Sequence, residues 1–258
     1  MNIKASRVFR ISAPFIGILV ASIGAVVWFM VNQPYTGREE RSLGGATDPN
    51  TPPLFIKHLG VSLDTYDPNT GMAGDFKFTK AKLQFDRLMM DYGFFIPASS
   101  ASQEKFNPQP TFILPLGTKV RSLVDGVVVE MPKLYSHDYS IMVAADDKSQ
   151  WRYETEHVIN PVVKVGDHVT AGQVVAEVSD YDKGLPTGFG LVEIGLLRGG
   201  NPPRHICPYQ YLDSSVKAEI LGALKSFYQS WEEYKGDSAL YDETVSVTGC
   251  LTTDGING

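Results

Sequence analysis

Tyr153 to Val178, YETEHVINPVVKVGDHVTAGQVVAEV, is the stretch whose reading decides the fold. Val162, Val163 and Val165 run into Gly166-Asp167, His168 to Thr170 run into Ala171-Gly172, and Val174, Val175 and Val178 follow. Gly-Asp and Ala-Gly supply the backbone freedom of tight turns, and valines suit a pleated, half-buried surface. The stretch reads as strand, turn, strand, turn, strand.

Working outward, Trp151 to His157 reads as the return strand of a hairpin whose turn is Asp146 to Ser149 and whose first strand is Ser140 to Ala145. Phe112 to Val120 and Val124 to Val129 are further strand-and-turn pieces, and Gly190 to Leu197 is a closing strand. The turns at Gly117 and Gly166 mark two pseudo-symmetric halves. The run Lys-Val-Gly-Asp (164–167), Ala-Gly-Gln (171–173), Val-Val-Ala-x-Val (174–178) resembles half of the sandwich shared by biotinyl and lipoyl carriers, membrane-fusion adaptors and lysostaphin-type (LytM-like) zinc endopeptidases. Pro-x-Gly-Thr-x-Val (115–120), Asp-Gly-x-Val (125–128) and His157, nine residues before Gly166, narrow the resemblance to the endopeptidases over 112–197, about a third of the chain.

That resemblance implies one zinc held by a His-x-x-x-Asp pair and the second His of a His-x-His, with an open position for water. Counting back from Gly117, the Asp position falls on Thr111 and the His position on Asn107. If Glu193 sets the register of the closing strand, the His-x-His positions are Phe189 and Leu191; if Thr187-Gly188 sets it, they are Gly190 and Val192. None is a histidine. Only His157 matches, at an aromatic-x-His position whose aromatic, Tyr153, is four residues away instead of two. The expectation is a degenerate endopeptidase-like domain with no metal ligands and no cofactor, zinc entering only if that reading fails. His157 is a candidate catalytic remnant, and Tyr153, His157 and Glu193 are candidate binding residues. Strand alternation puts Glu154 and Glu156 in solvent opposite His157, and Glu193 reads as exposed at a sheet edge. His137-Asp138, His168 and His205 lack ligand spacing and read as scattered histidines.

The rest of the chain supplies a setting. A length of 258 residues and 43% hydrophobic residues allow one sizeable domain with attachments, and a net charge of −6 argues against nucleic acid. Residues 11–31 form an uncharged apolar run spanning roughly 31 Å, preceded by Lys4, Arg7 and Arg10. The positive-inside tendency makes it a transmembrane anchor, with residues 1–10 cytoplasmic and the main domain extracytoplasmic. A cleaved signal peptide is the competing reading. A linker (32–53), an N-terminal elaboration (54–110), the endopeptidase-like β domain (111–200) and a C-terminal helix with a tied tail (201–258) follow. Val216, Ile220, Leu224, Phe227, Trp231 and Tyr234 make one stripe of an amphipathic helix, capped by Asp213 or Ser214. Cys207 and Cys250 suggest one disulfide closing a loop of about 44 residues.

The fold class expected is mainly β, a lysostaphin-type β-sandwich with an N-terminal transmembrane helix and a C-terminal amphipathic helix. The function expected is an envelope-ligand or partner-binding module, with the membrane and an envelope polymer or protein as partners. An active hydrolase with a non-standard site around His157 is the first alternative. A membrane-fusion-type transport adaptor is the second, weakened because 129–164 lacks the heptads of an inserted helical hairpin.

Overall fold

The computed structural model describes residues 50–98 and 103–258. The expected cytoplasmic tail, the apolar run 11–31 and the linker up to residue 49 lie outside them. Among the described residues no helix is long and apolar enough to cross a membrane.

The described residues are mainly β with one long helix. The strands are β1 (Met72–Ala73), β2 (Phe76–Lys77), β3 (Met89–Met90), β4 (Phe95–Ile96), β5 (Lys105–Phe106), β6 (Thr111–Pro115), β7 (Lys119–Arg121), β8 (Gly126–Glu130), β9 (Tyr139–Ala144), β10 (Trp151–Ile159), β11 (His168–Val169), β12 (Val174–Val178), β13 (Phe189–Arg198) and β14 (Arg204–His205); the helix α1 (Lys217–Lys235) precedes β15 (Ile256–Asn257). One path of hydrogen-bonded strands runs β11-β8-β9-β10-β13-β14-β15. β6 adds to β13, β3 adds to β6, and β12 bridges β10 and β7. β10 therefore turns a corner: its first part pairs with β9 and β13, and its end pairs with β12.

The Val162–Val165 segment is not a strand, contrary to the sequence expectation. The segment meets β12 through one hydrogen bond, from the Val162 amide to the Val175 carbonyl at 2.9 Å, beyond the β10–β12 pairing at 177–178. The segment crosses over as extended loop with Val162 and Val165 exposed. The two turns themselves form, with Gly166 and Gly172 at positive φ of 95° and 82°, a region open to glycine without a Cβ penalty.

One face of β6, β10 and β13 is the core, where Phe112, Tyr153, Thr155, Val192, Ile194 and Leu196 are buried. Residues 54–90 share that core: Met89 pairs with Phe112, and the Phe76 ring lies 5.7 Å from that of Phe112 and 4.9 Å from that of Phe227 on α1. The helix begins at Lys217, after a turn in which Asp213 accepts hydrogen bonds from the Ser215 and Val216 amides. Its predicted stripe faces inward at Leu224, Phe227 and Trp231 and is widened by Tyr228. Cys207 and Cys250 form a disulfide.

Candidate functional site

The opposite face of the same three strands is polar. Antiparallel partners point to one side of a sheet, and the register pairs Glu193 with Thr111 on β6 and with Glu156 on β10, while Glu154 pairs with Gly195. Thr111, Glu154, Glu156 and Glu193 therefore share a face. β13 lies between β6 and β10, so Glu193 stands mid-sheet and half-buried, not at the edge where the sequence put it.

This pairing also fixes the register that the sequence left open. Gly190 cannot stand for a histidine, because a Cβ there would lie 2.2 Å from the Ser179 carbonyl oxygen, and Val192 is buried in the core. The residues facing Thr111 on its own side are Leu191 and Glu193. Asn107 Nδ2 donates to Thr111 Oγ1 at 3.3 Å, and Thr111 Oγ1 donates to Glu193 Oε1 at 3.2 Å. In that register the three positions at which the resemblance implies zinc ligands, Asn107, Thr111 and Leu191, hold an amide, a hydroxyl and an apolar side chain, with Thr111 tied to the neighbouring Glu193. Zinc takes thiolate, imidazole and carboxylate donors, and this set does not fit it. Among the described residues no three His, Cys, Asp or Glu side chains form a group able to hold a metal ion.

His157 reaches this face through a break in strand alternation. The β9–β10 register shifts between Thr155 and Val158, and His157 has φ of 60°. A bulge of this kind re-aims one side chain. It overturns the expectation that Glu154 and Glu156 face away from His157 into solvent: Glu154 is only 4% exposed. Gln109 Nε2 donates to Glu154 Oε2 at 2.9 Å, and the Ser140 hydroxyl donates to its other oxygen. Gly195 leaves the space, since a Cβ there would lie 3.0 Å from Glu154 Oε2.

Tyr153 is not brought to His157. It points to the core face, where its hydroxyl donates to the Leu54 carbonyl at 2.6 Å and accepts from the Leu54 amide at 2.9 Å. The aromatic partner of His157 is Tyr181, stacked with ring centroids 3.6 Å apart. His157 Nδ1 lies 3.0 Å from Oδ2 of Asp138, which is buried and accepts from Ser136. Burial alone would raise the Asp138 carboxyl, but hydrogen bonds from Ser136, Ser179 and His157 outweigh it and hold it below the usual carboxylate range. An ionised carboxylate only accepts, so Nδ1 carries the hydrogen and, in the neutral ring, Nε2 is an acceptor.

The sequence reading missed Asp138 and Tyr181, which lie in loops far from His157 along the chain. The one usable signal for Asp138 was an acid beside a turn. His137 and His168 are exposed, and His205 is buried on β14; none of the three is hydrogen-bonded to His157.

The acids on this face are poorly compensated. Burial, and then the charge of Glu156, push the Glu193 carboxyl up to about 7, against the opposing pull of His157, Lys105 and Thr111. Burial, and then Glu156, also push up the Glu154 carboxyl, to about 8.

Residues 110–191 match peptidase family M23. Among solved structures, the catalytic domain of the prophage-encoded M23 protein EnpA from Enterococcus faecalis is similar at 25% identity, over 46% of this chain and 85% of that one, with a TM-score of 0.34. LytU is similar at 22% identity, over 47% of this chain and 82% of that one, with a TM-score of 0.35. The catalytic domain of lysostaphin from Staphylococcus simulans is similar at 21% identity, over 43% and 79%, with a TM-score of 0.34. No curated protein matches the chain. Residues 110–191 thus carry an M23 peptidase-like domain, and the lysostaphin-type resemblance read from the sequence holds for this segment on the strength of the family match.

Proposed function

We propose that the M23-like domain no longer performs zinc hydrolysis and serves as a binding or regulatory module outside the cytoplasm. Its ligand in this reading is an envelope polymer or a protein partner, and residues 11–31 are its membrane anchor. The observation that carries the reading is that Asn107, Thr111 and Leu191 stand at the three positions where zinc ligands are implied, and that Asn107 is hydrogen-bonded to Thr111 and Thr111 to the neighbouring Glu193. The uncharged apolar run and the positive charges before it support the anchor. The test is metal content of the purified full-length chain, together with hydrolysis of peptidoglycan and glycine-rich peptides with and without a chelator. Sub-stoichiometric zinc and no chelator-sensitive hydrolysis are expected. Stoichiometric zinc with chelator-sensitive hydrolysis overturns the reading.

A metal-independent hydrolase is the second reading, and the Asp138–His157 pair favours it. A carboxylate that fixes an imidazole tautomer prepares a general base. If substrate turnover is found, His157→Ala should lower it by about two orders of magnitude or more; unchanged turnover removes this reading.

A further inference from the structure

We propose that the groove face of β10 and β13 is a binding site for a primary ammonium group, received by Glu156, Glu193 and Nε2 of His157. The inference rests on the binding-module reading and names the chemistry of its ligand.

Two independent observations converge. The first is a like-charge pair. Glu156 and Glu193 are direct cross-strand partners on one face, an arrangement that destabilises a sheet unless something neutralises it. Among the described residues Glu156 has no hydrogen bond or ion pair, and Glu193 has only the neutral Thr111 hydroxyl. His157 and then Lys105 are the groups whose positive charge is felt at Glu193; neither makes an ion pair with it, and Lys105 sits exposed on β5.

The second observation is His157. Its side chain is 7% exposed. Nδ1 is committed to Asp138, Tyr181 covers the ring, and Nε2 has no hydrogen-bond partner among the described residues. A bulge and a left-handed backbone hold the ring on the acidic face, a strained arrangement of the kind that collects at ligand sites. With the ring neutral and the carboxyls ionised, the free nitrogen and both carboxylates are acceptors.

The face therefore presents acceptors and no strong donor. A ligand that satisfies it must bring donors and positive charge. An alkylammonium has three N–H donors and no acceptor, which matches three acceptors of this kind. It also reaches its acceptors at roughly 2.8 Å, against roughly 2.0–2.2 Å for zinc, so an acceptor set too open for a metal can still close around it. A guanidinium is planar with five donors in a fixed fork and matches the set less well. The amine can come from a lysine-like side chain or from a free peptide amino terminus.

The experiment is calorimetric titration of the full-length chain, near neutral pH, with three short peptides of one sequence. One has a free side-chain amine and a blocked amino terminus, one has a free amino terminus and an acetylated side chain, and one is blocked at both. At least one amine-bearing peptide should bind about tenfold tighter than the blocked one, and which one it is identifies the source. Glu156→Gln and Glu193→Gln should each weaken that peptide several-fold and leave the blocked peptide unchanged. Equal binding of all three peptides to the wild-type chain overturns the proposal, as does unaltered binding in both variants when their thermal melts show them folded. Zinc ions that bind stoichiometrically through Glu193 and displace the amine also overturn it. A zinc-free, non-hydrolysing protein that ignores the amine sinks this inference alone, whereas a zinc-dependent hydrolase sinks the proposed function with it.

Discussion

At the residue scale, the polar face of β10 and β13 makes a pH-dependent contribution whose sign can be worked out. Glu154 is raised to about 8 and Glu193 to about 7 in the folded chain, while both titrate near their ordinary values when unfolded. The folded state therefore holds protons that the unfolded state has lost, and stability falls as pH rises from about 4.5 towards 8. His205, whose imidazole burial lowers to about 4, works in the other direction, but its contribution is complete above its unfolded value of about 6.5. The clean window is thus the upper one, from about 6.5 to 8.5. Glu154→Gln removes the larger titration, and the variant should lose about 1–3 kcal/mol less stability across that window than the wild type. Urea midpoints measured at both ends would show it; parallel pH profiles would mean that Glu154 is ionised at little cost. The sequence showed His157 and Glu193 as residues to watch, yet it set His157 beside Tyr153 and faced Glu154 outward. Strict alternation gives those answers for any regular strand. One bulge at 155–158 re-aims His157, and nothing in Glu-Thr-Glu-His announces it, while Glu154 keeps its side and is covered there by Gln109 and Ser140. Asp138 and Tyr181 come to His157 by tertiary folding alone.

At the element scale, α1 was legible because its apolar residues recur at helical spacing, and the structure buries the middle of that stripe. The strands flanking the Gly-Asp and Ala-Gly turns were legible for β12 but not for Val162–Val165. Valine content reports a preference for strand, whereas a strand also needs a run of ladder hydrogen bonds, and this segment makes one with β12, from the Val162 amide to the Val175 carbonyl. The helix contributes more than cover. Trp231 is fully buried, its ring meets Phe78 edge-on at 5.0 Å, and its Nε1 donates to the Asp86 carbonyl at 2.9 Å. It joins α1 to residues 76–86, which in turn back β6 through Phe76. Trp231→Ala should cost about 3–5 kcal/mol, through lost burial and a residual cavity. If the polar face is held from behind by this packing, ligand binding at His157 should weaken in parallel. A chemical denaturation curve tests the first part, and a loss under 1 kcal/mol would show that the helix is only loosely attached.

At the scale of the whole molecule, the question is what the Cys207–Cys250 bridge holds together. The tail has its own attachments. β15 pairs with β14, and the Tyr92 hydroxyl donates to the Asp254 carbonyl at 2.8 Å and accepts from the Ile256 amide at 3.0 Å. Leu251 and Tyr92 are further joined through their backbones. These contacts keep the tail seated whether or not the sulfurs are joined, so the bridge acts chiefly on the unfolded chain, by closing a loop across a sequence separation of 43. In the chain-entropy description that is worth roughly 4 kcal/mol. The double variant Cys207→Ala, Cys250→Ala should therefore lower global stability by about that amount, with the exception of whatever the two small cavities add. Its unfolded state should be more expanded, which raises the dependence of stability on denaturant. Native-state hydrogen exchange separates this from local fraying. Amides of 250–257 should exchange through global unfolding in both proteins, at rates set by overall stability. Selective exchange of those amides in the variant, with the rest of the sheet still protected, would show instead that the bridge pins the tail directly and that the Tyr92 contacts are too weak to hold it.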